Sequence, residues 1–469
     1  MERKNAWEKY DTKAKQKKVF DFSEGYRKFI SENKTERECT DFFIKEAKEA
    51  GFKDLASCIK KGGKLKPGDR VYASNYGKAI ALFVLGERPL EEGLRILGAH
   101  IDSPRIDIKQ NPLYEEKQMA LLDTHYYGGI KKYQWVTLPL SLRGVVIKKD
   151  LTTVDIKIGD NHGDPVFGIT DLLPHLAQEQ MEKKANKIVE GEDLNILIGS
   201  MPAALSKKDK EDPKKNKDTV KRYILQLLKE KYDIEEEDFI SAELEAVPAG
   251  YARDYGFDKS MIMGYGHDDR ACAYPSFKAM LEAKNNDKTL ACLLVDKEEI
   301  GSVGATGMES RFFENCLAEL IGLAESPSEL VLRRCLKNSY ALSSDVSAAF
   351  DPNYPSVMEE KNAAFMGCGL VFNKFTGSRG KYDSNDANAE YMGKLRGILD
   401  KDNVYYHTAE LGKVDLGGGG TIAYILGNYG MNVIDSGVPV LSMHAPWEII
   451  SKVDLYEAYL GYISFLKKA

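Results

Sequence analysis

Five times in this chain an apolar strand or turn runs directly into His, Asp or Glu. In sheets flanked by helices, the carboxyl ends of strands are where functional side chains collect. The first junction is Leu97-Gly98-Ala99-His100-Ile101-Asp102. A metal-bound imidazole needs its other ring nitrogen held by a carboxylate or carbonyl, and His-x-Asp supplies both parts. The alternative is a turn with a hydrogen-bonded histidine. The second is Gly266-His267-Asp268-Asp269, entering a predicted helix. Asp268 can bridge two metals through its two oxygens, with Asp269 behind it, or the pair can cap the helix.

The third junction is Leu293-Leu294-Val295-Asp296-Lys297-Glu298-Glu299. Two-metal hydrolysis needs one carboxylate as ligand and a second to take a proton from the attacking water. Glu298 and Glu299 offer that division, and a solvated loop is the alternative. The fourth, Ala341-Leu342-Ser343-Ser344-Asp345, presents an acid that is either a ligand or an N-cap. The fifth, Pro439-Val440-Leu441-Ser442-Met443-His444, ends on either a ligand or a buried core histidine. Each alone is modest. Together they supply two terminal imidazoles, a bridging carboxylate, two further carboxylate ligands and a free base, the mixture suited to a co-catalytic zinc pair.

The remaining pattern is α/β. A helix is predicted over Phe29–Ala50, with Gly51 as its stop. Arg70–Ala73, Ala79–Val84 and Leu94–His100 look like strands of a mostly parallel, buried sheet. After about Asp107 the character changes to alternation, as in Gly144–Ile147 and Thr153–Ile158, which suits antiparallel strands. A solvated loop is expected at Lys207–Lys215 and an amphipathic helix around Tyr223–Leu228. From about Ala252 the α/β pattern resumes with a helix over Ala273–Ala283 and strands at Thr289–Val295, Asn338–Ser343 and Pro439–His444. A last helix over Asp454–Lys467 has Asp454 as its expected N-cap. The expected organisation is a mixed-sheet α/β domain, 1–106 and 251–469, interrupted by a β-rich domain at 107–250.

Composition excludes some partners. The chain has 66 basic and 72 acidic residues among 469, a net charge of -6, which favours neither nucleic acid nor a membrane surface. No apolar run approaches the ~20 residues that span a bilayer, and Met1–Trp7 lacks the apolar core of a signal peptide. The seven cysteines form no CxxC pair, which suits buried, reduced thiols. The expected compartment is the cytosol.

Over nearly its whole length the chain resembles the M18 metallopeptidases, the family of aspartyl aminopeptidase and aminopeptidase I, in their bacterial form. The resemblance rests on Ala99-His100-Ile101-Asp102-Ser103-Pro104, Asp296-Lys297-Glu298-Glu299-Ile300-Gly301-Ser302, Asp351-Pro352-Asn353-Tyr354 and Ser442-Met443-His444. It implies a zinc-exopeptidase-like catalytic domain and two divalent ions per subunit, zinc first, with manganese or cobalt as alternatives. One ion would be held by His100, Asp268 and Asp345, the other by Asp268, Glu299 and His444. Glu298 would be the general base acting on the attacking water, and Asp102 the carboxylate behind His100. The resemblance also implies peptide substrates, an insertion that serves dimerisation, and a homododecamer built from dimers.

The chain departs from the family in two runs. Tyr133-Gln134-Trp135-Val136-Thr137-Leu138 lacks the charges of the aspartyl enzymes' Trp-Phe-Asp-Arg-Asp-Leu. Lys374–Tyr382 replaces their Lys-x-Asn-x-Asn-Gln-Arg-Tyr. The preferred N-terminal residue is therefore open, with Lys374 a candidate partner for a substrate carboxylate. In Asp415–Thr421, the four glycines Gly417–Gly420 permit close backbone approach to substrate, with Gly420 as candidate, or form a turn without function. The competing readings are an M42-like aminopeptidase, a non-catalytic self-assembling shell protein with the same fold, and a glycosidase using paired carboxylates.

Overall fold

The computed structural model describes residues 3–205, 217–284 and 286–469. The lysine-rich loop expected at Lys207–Lys215 lies outside the described residues. The chain forms two compact units: Met1–Ser103 with Ala252–Met443 and Trp447–Ala469, and Pro104–Tyr251 with His444–Pro446.

The first unit is built on a nine-stranded sheet. Its order is Lys53–Asp54, Arg70–Asn75, Ala79–Val84, Leu290–Val295, Arg95–His100, Tyr340–Ser343, Asn432–Gly437, Leu370–Asn373, Tyr406–Ala409. The sheet is mixed, not mostly parallel. Ala79–Val84 runs antiparallel to both its neighbours, and Leu370–Asn373 runs antiparallel to Asn432–Gly437. The strand that ends at His100 pairs in parallel with Leu290–Val295 and with Tyr340–Ser343. Three site-bearing strands thus lie side by side and point the same way.

Both faces of this sheet are covered, which explains its unbroken apolar runs. Along Leu290–Val295, Leu290, Cys292 and Leu294 pack into one core with Tyr26, Phe43, Phe277 and Tyr462. Ala291, Leu293 and Val295 pack into the other with Leu317, Leu336 and Leu426. Strand alternation sends successive side chains to opposite layers, and both layers are helical. A second sheet of this unit, five-stranded, contains Pro439–Leu441 beside Glu448–Ser451. The strand expected through His444 therefore ends at Leu441 and lies outside the main sheet.

Two helix expectations change. Phe29–Ala50 is not one helix: Lys13–Glu32 ends, and Glu36–Glu49 begins with a capping box between Thr35 and Glu38. Asp454 is not an N-cap. Ser451 stands at the cap of Lys452–Lys468, and Asp454 turns its oxygens to the N–H groups of Gly367 and Gly369 at 2.6 and 2.7 Å.

The second unit carries a six-stranded antiparallel sheet, ordered Thr153–Ile158, Leu140–Ile147, Ala242–Pro248, Arg105–Glu116, Met119–Tyr127, Ile196–Gly199. Val146, Ile156, Ile234, Phe239 and Leu244 form its small core. The helix Thr219–Tyr232 covers the amphipathic run expected at Tyr223–Leu228. Among the described residues, no helix is long and apolar enough to cross a membrane.

Candidate metal centre

His100 is the last residue of its strand and is buried. Its Nδ1 lies 3.0 Å from Asp102 O and 3.2 Å from Asp102 Oδ1. Its Nε2 lies 3.1 Å from Asp268 Oδ1 and 3.9 Å from Glu298 Oε2. One nitrogen is thus fixed by Asp102 while the other faces carboxylates. Asp102 does more than orient the ring. Its Oδ1 accepts the N–H of Glu298 and its Oδ2 the N–H of Glu299, both at 3.2 Å.

Asp268 and Asp269 lie within the segment His267–Leu281, but both have non-helical backbone angles and their shared peptide bond is cis. Asp268 N–H donates to Glu448 Oε2 at 3.1 Å, and Ser103 Oγ donates to Asp268 O at 2.7 Å. Asp269 Oδ2 accepts the N–H of His100 at 3.3 Å. The guanidinium of Arg270 holds the intervening segment, Nε donating to Ile101 O at 3.0 Å. The adjacent His267 is a core histidine. Burial pushes it down to about 3, and its ring sits 2.7 Å from the Tyr26 hydroxyl.

Glu298 and Glu299 occupy a 3-10 turn, Glu298–Ile300, entered through Lys297 at φ 68°. Asp296 braces the entry: it accepts the N–H of Lys297 at 2.8 Å and the Thr306 hydroxyl at 2.5 Å. Asp345 follows the strand Tyr340–Ser343 and leads into the short strand Ser347–Ala348, so it caps no helix.

Among the described residues, three sets of donor atoms lie within 4.8 Å of one another: His100, Glu298 and Asp345; His100, Asp268 and Glu299; Asp268, Asp269 and Asp345. Imidazole and carboxylate oxygen are zinc ligands at such spacing. Burial, with the neighbouring acids adding to it, raises Asp345 and Asp269 well above the usual carboxylate range. Burial opposes the charging of His100, yet the hydrogen bonds to Asp102 and Asp268 hold it well above its ordinary value. So many acids around one imidazole form a site short of positive charge, which fits a divalent cation.

Four of the five expected ligands meet here, with the expected base Glu298 and with Asp102. His444 is placed differently: it belongs to the compact unit of Pro104–Tyr251, at φ 64°, with Nδ1 2.9 Å from Gly129 O, and it is absent from the three donor sets. Lys374 pairs with Asp386 at 3.1 Å, an acid it shares with Lys381. Gly420 is exposed, with open space where a Cβ would project. Sequence reasoning assigned no role to Glu448, Asp296, Thr306 or Arg270. Glu448 and Asp296 carried a signal, an acid directly flanking an apolar strand. Thr306 and Arg270 carried none.

The M18 family model, described as aminopeptidase I zinc metalloprotease, matches residues 29–466. A protein of Clostridium acetobutylicum named "Probable M18 family aminopeptidase 1" is 61% identical over 465 residues, covering 99% of this chain and 98% of the relative. The crystal structure of an M18 aminopeptidase from Thermotoga maritima is 43% identical, covers 100% of both chains and superimposes with a TM-score of 0.92. That of aminopeptidase I from C. acetobutylicum is 59% identical, covers 99% of both chains and gives 0.90. A chain of the S. cerevisiae mApe1 dodecamer shares the fold at 19% identity, with a TM-score of 0.73 over 95% of this chain and 96% of that one. The agreement runs from one end of the chain to the other, and it makes this protein a member of the M18 family, metal-dependent aminopeptidases that hydrolyse residues from peptide N-termini.

Proposed function

We propose that the enzyme works with two divalent ions, zinc first, and with Glu298 as general base. The observation that carries this reading is the convergence of His100, Asp268, Asp345, Glu298 and Glu299 on overlapping donor sets. In it, His100, Asp268 and Asp345 would hold one ion, and Asp268 with Glu299 would hold the other. His444 joins the second on the family resemblance alone. Divalent ions held by these residues would supply Lewis-acid polarisation of the scissile carbonyl and a lower pKa for water. Glu298 takes the proton from the attacking water and returns it to the leaving amine. Asp102 keeps the His100 ring oriented and holds the turn that carries both glutamates.

The substrates of this reading are peptides, with Lys374 and the backbone at Gly420 as candidate contacts. Self-association is part of it as well: the yeast relative forms a dodecamer, and the second unit is proposed as the subunit-contact domain. The cytosol is the proposed compartment, consistent with seven free cysteines.

The test is metal counting joined to activity. Zinc-loaded protein should contain two equivalents by mass spectrometry and release N-terminal residues from aminoacyl-arylamides, with chelation abolishing turnover. One equivalent at full activity would refute the two-ion reading, and activity that survives chelation would remove the metal mechanism altogether.

A further inference from the structure

The glycine-rich segment Asp415–Thr421 is fastened to its unit at Gly419 and at Thr421. Gly419 O accepts the N–H of Gly377 at 2.8 Å. Gly417 and Gly418 lie so close to other backbone that a Cβ on them would sit 1.6 Å from Leu411 O and 1.8 Å from Gly377 O. Those two glycines are explained by packing. Gly420 is not, because nothing lies within 4 Å of its Cβ position.

One residue further on, the Thr421 hydroxyl donates to Asp435 Oδ1 at 2.6 Å and accepts the N–H of Ala423 at 3.3 Å. Asp435 is 1% exposed, and among the described residues it makes no ion pair. It lies in the strand Asn432–Gly437, in register with Ser343 on one side and Asn373 on the other. Ser343 stands two residues before Asp345, and Asn373 directly precedes Lys374. Beside Thr421, the Ile422 side chain comes within 3.2 Å of where a Cβ on Gly98 would be, two residues before His100. The glycine segment is thus anchored at the end of the sheet that carries the metal donors. A buried carboxylate is costly, and here one of its oxygens accepts from the hydroxyl that ends the loop.

We propose that Asp435 is a positioning residue for substrate: through Thr421 it holds the open backbone at Gly420 where it pairs with the main chain of a bound peptide. The proposal rests on the peptidase reading above. It assigns the loop to binding and leaves the proton transfer to Glu298.

Full-length, metal-loaded Thr421→Val, Thr421→Ser and Asp435→Asn proteins test it. Thr421→Val keeps the shape and removes the donor. Its KM for the best-cleaved peptide should rise about tenfold with kcat within about twofold, as expected for loss of a hydrogen bond that serves binding. Amide exchange over 417–421 should quicken while metal content stays at the wild-type level. Thr421→Ser should restore both, and Asp435→Asn should shift both in the same direction as Thr421→Val. Wild-type KM and exchange in Thr421→Val would overturn the proposal, as would a loss falling on kcat or metal content with KM unchanged. If the wild type cleaves no peptide, the peptidase reading fails on its own, and unchanged exchange in Thr421→Val then overturns the tether separately.

Discussion

Glu298 and Glu299 are adjacent, of one type and half-buried on one short turn, yet their surroundings differ. Glu298 groups with His100 and Asp345, and Glu299 with His100 and Asp268. Replacing Glu298 by Gln preserves shape and removes the proton acceptor. Turnover should fall about 10²–10⁴-fold, the usual weight of general-base catalysis. Metal content by mass spectrometry should stay at the wild-type level, and an unimpaired kcat would reassign the base. Asp102→Asn probes the residue behind them. The charge that supports His100 is lost, and an NH2 group now faces a ring or backbone N–H. Metal affinity, measured by competition with a chromogenic chelator, should weaken about 10–100-fold, the range typical for outer carboxylates on ligating histidines. Unchanged affinity would reduce Asp102 to a structural part. At this scale the site was largely legible, because imidazole and carboxylate directly after apolar strands stand out from any background. Glu448 stands out in the same way, but its role does not, since that role is the hydrogen bond from Asp268, 180 residues away in sequence.

The long strands of the main sheet were legible for a physical reason: both their faces are buried, so their runs are apolar without interruption. The helix break at Asn33–Thr35 was missed because a capping box of Thr35 and Glu38 resembles ordinary polar helix surface until its hydrogen bonds are seen. The C-terminal helix, Lys452–Lys468, shows how an acid at an expected cap can serve another segment. Burial pushes Asp454 up to about 8, although the N–H groups of Gly367 and Gly369 pull against it. In an unfolded chain an aspartate titrates near ~3.9. Between those values the folded protein holds a proton that the unfolded chain has released, so this group makes stability fall as pH rises. The slope is at most about 1.4 kcal/mol per pH unit. Asp454→Asn cannot titrate. Its unfolding free energy should therefore decline less steeply than that of the wild type from pH 4 to pH 8, whatever its absolute stability. Parallel curves for the two proteins would show that Asp454 is ionised across that range.

For the whole molecule, the question is how many chains act together. The six-stranded sheet of the second unit contributes none of the residues in the three donor sets. Several large apolar side chains of this unit lie open, among them Leu172, Leu176, Met181 and Met201, with Leu176 and Met181 70% and 72% exposed. Exposed apolar side chains mark a contact surface where they gather into one patch. Light scattering at micromolar concentration should therefore give a mass many times the single-chain 52.5 kDa, near twelvefold if the yeast assembly is shared. A mass at the single-chain value would rule out self-association and leave the second unit as a lid or substrate-recognition module.

By itself, the sequence determined which residue types stand where the metal centre is proposed. Which residue types follow apolar strands is a local property, and a buried acid or imidazole at a strand end already implies a partner. Tertiary structure decided the rest, because it depends on residues far apart in the chain. Pairing between Arg95–His100, Leu290–Val295 and Tyr340–Ser343 brought His100, the two glutamates and Asp345 to one sheet end. The distant acceptors Glu448 and Asp435 drew in Asp268 and Thr421. The strand before His444 looked in sequence like its neighbours, yet it pairs with Glu448–Ser451 in another sheet. An apolar strand states that it will be buried, and only its hydrogen-bonded neighbours state where.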